Sequence, residues 1–325
     1  MRSLLARAAP FLFALAALVL LATFSPPGTY RPAPPPAITF VRFERVPLDA
    51  GDPERRRLGR LTFLGGWRLT SNDPRFGGLS SLHVEGGEAL AFSDSGWMIR
   101  FPLPGGTEEV RGQIRMLADG PGTARHKSMR DIESMAVDGN KVWLGFERRN
   151  GIWRYDRRTW RVEAGATPPE MRRWPANRGA EAMVRFPDGR FLVIAEGHGH
   201  GGPALLFAGD AAVTGTPVTA MRYQPPDGYR ATDAALLPDG HILVLNRRWR
   251  LLEGLSAKLT MLHRRLAPGA LLRGEEVADF HRPVILDNME GLSVTREGGR
   301  TIVWITSDDN YSPLQRTLLM KFALD

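Results

Sequence analysis

From residue 38 onward, apolar residues occur in short runs and not at helical spacing. The runs are rich in β-branched and aromatic residues and are separated by turn sequences, such as the Pro-Asp-Gly tripeptides at 187–189 and 238–240. The 35 glycines and 25 prolines among 325 residues agree with this reading, because frequent turns suit short strands better than long helices. The pattern predicts an all-β protein.

A short motif recurs five times along this chain. A polar, mostly acidic residue is followed by a small residue and then usually by an apolar one, at the start of a predicted strand. A turn and a second apolar strand follow each time, and that strand ends in another polar cluster. The repeat period of about 50 residues, with strands only, is typical of a β-propeller built from four-stranded blades. The polar positions of the five motifs are Ser80, Glu133, Glu181, Asp233 and Glu290.

The last repeat has room for only three strands, the third at 317–324. We therefore expect an N-terminal strand at 61–69 to complete this blade, so that pairing of N- and C-terminal strands closes the propeller. Five blades are predicted, and six are the alternative if residues 38–46 belong to an additional blade. A β-sandwich with coincidental motif spacing is the competing fold, but five matches in register are hard to obtain by coincidence.

The N-terminal sequence indicates export. Two arginines are followed by an uncharged run at 8–24 that is rich in Ala and Leu, which is the pattern of a secretory signal. No clear cleavage motif follows, and the run is near the lower limit for a membrane-spanning helix. Residues 1–24 are therefore a signal peptide or a signal anchor, 25–37 a proline-rich linker, and 38–325 the propeller domain. We expect a periplasmic protein, free or anchored in the inner membrane, with secretion as the alternative.

The charge and composition of the chain limit the classes of partner that the protein is expected to bind. The net charge of +8 and the pI near 10.3 favour anionic partners, but the basic residues are scattered and no basic run with interleaved aromatic residues marks a nucleic-acid groove. A small anionic, phosphorylated substrate fits better, and a membrane is expected to be contacted only through the N-terminal segment. The absence of cysteine excludes disulfides, thiolate zinc sites and a cysteine nucleophile. The sequence contains no G-x-S-x-G elbow and no P-loop.

Rotational symmetry of a propeller would place the repeated acids around its axis. Glu133, Glu181, Asp233 and Glu290 would then share one channel mouth, where like charges need a cation or basic side chains. Ca²⁺ prefers several oxygen ligands of this kind. We predict these four acids as catalytic residues and metal ligands, and Asp308, which follows a buried strand, as a further ligand. The alternative is that the acids bond to backbone amides and connect the blades.

Basic residues near the predicted mouth are candidates for substrate binding. Arg148 and Arg247 follow the second strands of their repeats, and Arg130 precedes the second motif. Each can pair with the acids or with a phosphate group. His198 lies in a glycine-rich loop at 196–202 with a second histidine, where it is a candidate ligand or acid–base group, or part of a polar surface loop.

Several of these motifs resemble the phytase-like domain family, also called "esterase-like activity of phytase", whose members are largely exported bacterial proteins. The matching segments are Gly77-Gly78-Leu79-Ser80, Phe92-Ser93-Asp94, Asp131-Ile132-Glu133-Ser134, Asn177-Arg178-Gly179-Ala180-Glu181-Ala182, Asn288-Met289-Glu290-Gly291-Leu292 and Ser307-Asp308-Asp309-Asn310.

The resemblance implies a β-propeller and an ester or phosphoester hydrolase. Propeller phytases hold phosphate and activate water with calcium ions in an acidic channel mouth, assisted by Lys and Arg. The predicted function is therefore an exported phosphoester hydrolase with an acidic, Ca²⁺-binding mouth. A non-catalytic propeller of the cell envelope that binds a ligand or protein is the alternative, and a sugar- or lactone-processing propeller enzyme is a third interpretation.

Overall fold

The computed structural model describes residues 37–105, 108–117, 119–122, 130–197, 201–263 and 266–325. These residues form β-strands and one short 3-10 helix, Met171–Arg173, and contain no α-helix. Within them, no helix has the length and apolar character that crossing a bilayer requires.

The strands are arranged as successive antiparallel meanders, each about four strands wide. Three strands come before the first meander: β1 (Ala37–Arg45), β2 (Arg57–Leu58) and β3 (Leu61–Ser71). The first meander contains β4 (Leu79–Glu85), β5 (Glu88–Ser93), β6 (Trp97–Pro102) and β7 (Glu108–Met116). The second contains β8 (Ile132–Asp138), β9 (Lys141–Phe146), β10 (Gly151–Asp156) and β11 (Val162–Ala166).

The third meander contains β12 (Ala180–Arg185), β13 (Phe191–Ala195), β14 (Gly202–Phe207) and β15 (Val218–Gln224). The fourth contains β16 (Arg230–Leu236), β17 (Ile242–Arg250), β18 (Gly254–Leu262) and β20 (Glu275–Phe280). Between β18 and β20, β19 (Leu271–Arg273) pairs in parallel with β15. The fifth contains β21 (Asn288–Glu297), β22 (Arg300–Asp308) and β23 (Thr317–Leu324).

The first strand of every meander lies at the centre of the molecule. β4 contacts β8 and β21, β12 contacts β8 and β16, and β16 contacts β21, so these five inner strands form a closed ring. A ring of radially arranged antiparallel sheets is a β-propeller, and the prediction of an all-β propeller is confirmed. The ring agrees with five repeats, while the number of blades stays a prediction.

The propeller is closed by the pairing of its two ends. β23 pairs with β3, from Thr317 opposite Leu69 to Leu324 opposite Leu61, as the sequence predicted for 61–69. β3 thus becomes the fourth and outermost strand of the fifth meander. β1 lies between β3 and β7, which is the outermost strand of the first meander. Strand β1, which the six-blade alternative assigned to another blade, joins two adjoining sheets at their outer edges.

Burial explains the hydrophobic pattern of the strands. β13 is buried at all five positions because neighbouring sheets cover both of its faces, and it reads as the continuous apolar run Phe-Leu-Val-Ile-Ala. β1 alternates between buried and exposed residues because one face is open to solvent. The inner and second strands of the repeats therefore supply most of the core between the sheets.

Each inner strand contains an irregularity close to its start. The pairing between the inner and second strand shifts by one residue in all five meanders. A shift of this kind is a β-bulge, which leaves one residue unpaired and redirects its side chain. The unpaired residues are Ser80, Glu133, Glu181, Thr232 and Glu290.

We call the face at which the inner strands begin the mouth face. Because successive strands are antiparallel, it also carries the loops that join second to third strands and those that join one meander to the next. The remaining loops lie on the opposite face.

The closing strand is expected to be essential for stability. The side chain of Phe322 in β23 is fully buried, with its ring 5.6 Å from that of Phe63 and 5.7 Å from that of Phe280. Phe322→Ala should lower the free energy of unfolding in denaturant titration by about 3–5 kcal/mol. Phe40→Ala, at a ring that is 55% exposed, is the control and should cost less than about 1 kcal/mol. Equal losses would contradict this role of the closing strand.

Candidate metal centre

Two rings of polar residues surround the channel at the mouth face. The five residues at the bulges form the first, which we call the bulge ring. The second, which we call the rim ring, contains the residue at the end of each second strand that lies opposite the residue two positions before the bulge. Their positions are fixed by backbone pairing with the segment that enters the inner strand. The rim ring consists of Asp94, Glu147, Glu196, Arg247 and Asp308.

Three carboxylates from the second repeat approach one another closely. Asp131, Glu133 and Glu147 each offer an oxygen, and these three oxygens lie within 4.8 Å of one another. Oxygens that bind one Ca²⁺ at about 2.3–2.6 Å are at most about 5 Å apart. The donor set and spacing therefore fit a hard divalent cation. We call these three residues the acid triad.

The neighbouring acids raise one another's pKa. Burial, followed by the charges of Glu181 and Asp131, holds the pKa of the Glu133 carboxyl well above its usual range. Burial and the charges of Glu196 and Glu147 do the same for Glu181. The pKa of Glu147 is raised to about 8, by burial first and then by Asp131. The mouth thus favours bound protons or a bound cation.

Arg247 neutralises one side of the mouth. Its Nη1 lies 3.2 Å from Oε1 of Glu290 and donates to Oδ1 of Asn288 at 2.5 Å, and its Nη2 lies 3.8 Å from Oε1 of Glu196. These acids keep the pKa of Arg247 above its usual value although burial opposes this. Arg230 donates to the same Glu196 oxygen at 3.2 Å.

The side of the mouth that holds the acid triad has a different basic partner. Nε of Arg148 donates to Oδ2 of Asp131 at 2.9 Å, and the Arg148 side chain is half exposed. Arg148 and Arg247, both predicted to bind substrate, therefore occupy unequal positions. Arg247 is enclosed by acids, whereas Arg148 lies where an anionic group can reach it.

The structure corrects the alignment of the fourth repeat by one residue. Thr232, and not Asp233, occupies the bulge that corresponds to Glu133. The carboxylate of Asp233 accepts hydrogen bonds from the backbone amides of Leu292 at 2.7 Å and Ala234 at 2.8 Å. It thereby ties β16 to β21, as the alternative interpretation of the acids expected. The physical reason is that a side chain one position past the bulge faces the adjoining inner strand.

The carboxylates of Glu133 and Glu181, unlike that of Asp233, are not bound by backbone amides of the described residues. Charge and burial dominate their pKa values. Glu290 accepts from Nδ2 of Asn288 at 2.8 Å in addition to its contact with Arg247. Three of the four predicted ring acids thus face the channel.

Asp308 lies in the rim ring, but one oxygen of its carboxylate already accepts a hydrogen bond from the backbone. Oδ1 accepts from the amide of Asn310 at 2.6 Å, which is an Asx turn. The next residue, Asp309, accepts from the amide of Gly78 at 2.9 Å and from Oγ1 of Thr317 at 2.9 Å. Burial and the charge of Glu290 keep the pKa of Asp308 well above its usual range.

Arg130, a further residue predicted to bind substrate, is buried, and its Nη1 donates to the carbonyl of Pro121 at 2.7 Å. His198 lies outside the described residues. The prediction for His198 therefore stays a prediction.

The sequence interpretation did not select Asp131, Glu147, Asp94 or Glu196 as site residues. The signal was present, because a polar residue follows the second strand in each repeat. The sequence alone does not show that these residues lie next to the bulge residues, because their proximity depends on the register of strand pairing.

Fold and site together define a β-propeller with an acidic channel mouth. The family model "Phytase-like: Esterase-like activity of phytase" matches residues 74–311, which is more than half of the chain. The chain belongs to this family. No curated protein matches the sequence.

Solved structures with similar folds are distant in sequence. The chain is 11% identical to the glutaminyl cyclase of Myxococcus xanthus, covering 83% of this chain and 100% of that one, with a TM-score of 0.47. It is 12% identical to the PQQ-bound aldose sugar dehydrogenase of Streptomyces coelicolor, covering 83% and 99%, with a TM-score of 0.45. For the WD40 β-propeller domain of Doa1 the identity is 13%, the coverage 82% and 76%, and the TM-score 0.38.

Stability should depend on pH through Glu147. Because its pKa is about 8 in the folded protein and 4.5 ordinarily, the folded state holds the proton more tightly than the unfolded chain. Without divalent cations, the free energy of unfolding should therefore fall as pH rises from about 4.5 to 8. Glu147→Gln should be more stable than the wild type at pH 8, by on the order of 1 kcal/mol after solvent screening, and about equal at pH 5.

Denaturant titrations of chelator-treated protein at both pH values measure this effect. Asp73→Asn is the control, because a hydrogen bond from Arg75 holds the pKa of Asp73 below its usual range and the group is ionised at both values. Its substitution should change stability equally at pH 5 and pH 8. The same result for Glu147→Gln would refute the role of Glu147.

Proposed function

We propose that this protein is an exported phosphoester hydrolase whose acidic channel mouth binds Ca²⁺. The observation that carries the proposal is the acid triad, whose oxygens converge within 4.8 Å in a mouth crowded with further carboxyl groups. Membership of the phytase-like family supports hydrolysis as the class of reaction. Export rests on the signal-like pattern at 8–24.

Asp131, Glu133 and Glu147 would hold the cation, with Glu181 adjacent to them. When bound, the cation supplies positive charge that polarises a phosphoryl oxygen and lowers the pKa of bound water. Arg148, which is half exposed beside Asp131, would contact the phosphate oxygens. Arg247 serves instead as the permanent countercharge for Glu290 and Glu196.

Glu181 is suited to deliver a proton. Its raised pKa keeps the carboxyl protonated nearer to neutral pH than an ordinary glutamate. A protonated carboxyl can donate to the leaving oxygen as its bond to phosphorus breaks. We therefore assign Glu181 as the general acid and the acid triad as the cation ligands.

Cation binding can be measured by thermal unfolding of the full chain after chelator treatment. Ca²⁺ at about a hundredfold excess over its Kd should stabilise the folded state by about 2.7 kcal/mol, which raises the midpoint by several degrees. Glu133→Gln combined with Glu147→Gln should abolish this shift. Glu170→Gln, an exposed acid in the mouth-face loop between β11 and β12, should retain it. A full shift in the double variant would rule out the acid triad as the site.

Hydrolysis is tested separately with Glu181→Gln. With a chromogenic aryl phosphate and saturating Ca²⁺, this variant should lose about 10²-fold or more in kcat, because the leaving oxygen is no longer protonated. The Ca²⁺-induced thermal shift should remain. Glu170→Gln is again the control and should keep wild-type kcat. Unchanged turnover in Glu181→Gln would eliminate it as the acid.

The second candidate function is a non-catalytic envelope propeller that binds a ligand or a protein partner. It is favoured by Asp233, whose carboxylate joins two inner strands through backbone amides. This function predicts neither a Ca²⁺-induced shift nor turnover of phosphoesters. The two measurements above therefore decide between the candidates.

A further inference from the structure

The mouth face carries exposed apolar side chains beside the acidic channel. The hairpin between β17 and β18 ends in Leu251 and Leu252, which are 72% and 97% exposed, and Trp249 beside them is 51% exposed. Leu314, in the loop between β22 and β23, is 75% exposed on the same face. Large apolar residues that are grouped and exposed mark a surface that contacts something other than water.

The hairpin between β17 and β18 extends further than the corresponding hairpins of the first three meanders. β17 and β18 stay paired beyond Asn246, from Arg247 opposite Ala257 to Arg250 opposite Gly254. The second strands of the first three meanders end near the level of Asn246. The tip of the hairpin therefore projects beyond the mouth face at the fourth meander.

The tip is also held in place. Arg248 and Arg250 both bind Glu253, at 2.8 and 3.0 Å, and the guanidinium of Arg248 stacks on the ring of Tyr229 at 4.6 Å. These contacts fix the turn without covering Leu251 or Leu252. The exposure of the leucines is thus a property of an ordered hairpin.

Exposed arginines lie at the tip and on other loops of the mouth face. Two arginines share one glutamate at the tip itself, and Arg282 is exposed in the loop between β20 and β21. Arg172 and Arg173 are exposed on another mouth-face loop, between β11 and β12. Exposed arginines beside an apolar tip are complementary to an anionic lipid surface, where tryptophan and arginine both prefer the headgroup region. The acids of the mouth do not oppose this contact directly, because most of them are buried below the surface that carries the arginines.

The N-terminal segment leaves the propeller on the same side. Ala37 pairs with Ile114, two residues before Met116 at the mouth-face end of β7. Twelve residues, many of them proline, connect this point with the apolar run at 8–24. At about 3.1 Å per residue, an extended linker of this length reaches about 37 Å. A bilayer that held the apolar run would lie within reach of the mouth face.

We propose that the mouth face docks on the surface of an anionic phospholipid bilayer, with Trp249, Leu251 and Leu252 in the interfacial layer. The acidic channel then opens toward the lipid headgroups. The sequence alone predicted membrane contact only through the N-terminal segment, and the projecting hairpin adds a second contact. The inference does not depend on the proposed hydrolysis.

The absence of cysteine allows a direct test on the full chain. Leu252→Cys introduces a single thiol at a fully exposed site, where an environment-sensitive fluorophore can be attached without disturbing the fold. The matched control is Val213→Cys, 45% exposed on the opposite face. The labelled proteins are reconstituted with vesicles of phosphatidylglycerol and phosphatidylcholine, and with phosphatidylcholine alone.

With anionic vesicles, the label at position 252 should shift its emission to shorter wavelength and be quenched by lipids that carry a nitroxide near the headgroup. The label at 213 should remain water-like, and the shift at 252 should be weaker with phosphatidylcholine alone. A water-like label at 252 in vesicle-bound protein would overturn the proposal. A shift at 252 that depends on protein concentration and not on vesicles would overturn it too, by showing that a second copy covers the tip.

Discussion

Closure of the ring of inner strands is the constraint on which the site depends. Every repeat begins its inner strand with a bulge, and closure directs the five bulge residues toward one axis. When three of these residues are glutamates and four of the rim-ring residues are acids, like charges are forced together. Burial of these side chains and the charges of their neighbours then raise the pKa values of Glu133, Glu147, Glu181 and Asp308.

The fourth repeat contributes no acid to either ring and so reduces the negative charge of the mouth. It has Thr232 in the bulge ring and Arg247 in the rim ring, where the other repeats have mostly acids. Arg247 binds Glu290 and Asn288 and approaches Glu196, so the adjoining half of the mouth is neutralised within the protein. In the half around the acid triad, Arg148 lies at the edge of the mouth and donates to Asp131. The asymmetry of the repeats therefore leaves the acid triad as the candidate cation site.

Much of the fold could be predicted from the sequence because its determinants are local. The recurring motif, the turns and the missing fourth strand of the last repeat sufficed to expect a propeller closed by 61–69. The register of the fourth repeat could not be predicted, since Asp233 resembles the ring glutamates in chemistry, whereas the bulge depends on pairing with β17. The acid triad was missed for a related reason, because Asp131 and Glu147 approach Glu133 only through the pairing of β8 with the end of β9.

The inner strands carry apolar side chains below the bulge ring. Two residues beyond each bulge, these side chains are buried between the sheets and also line a cavity of about 170 Å³. These residues are Leu82, Met135, Met183, Ala234 and Leu292. An apolar layer beneath the carboxylates lowers the local polarity, which raises the cost of unpaired charge and strengthens the attraction for a cation.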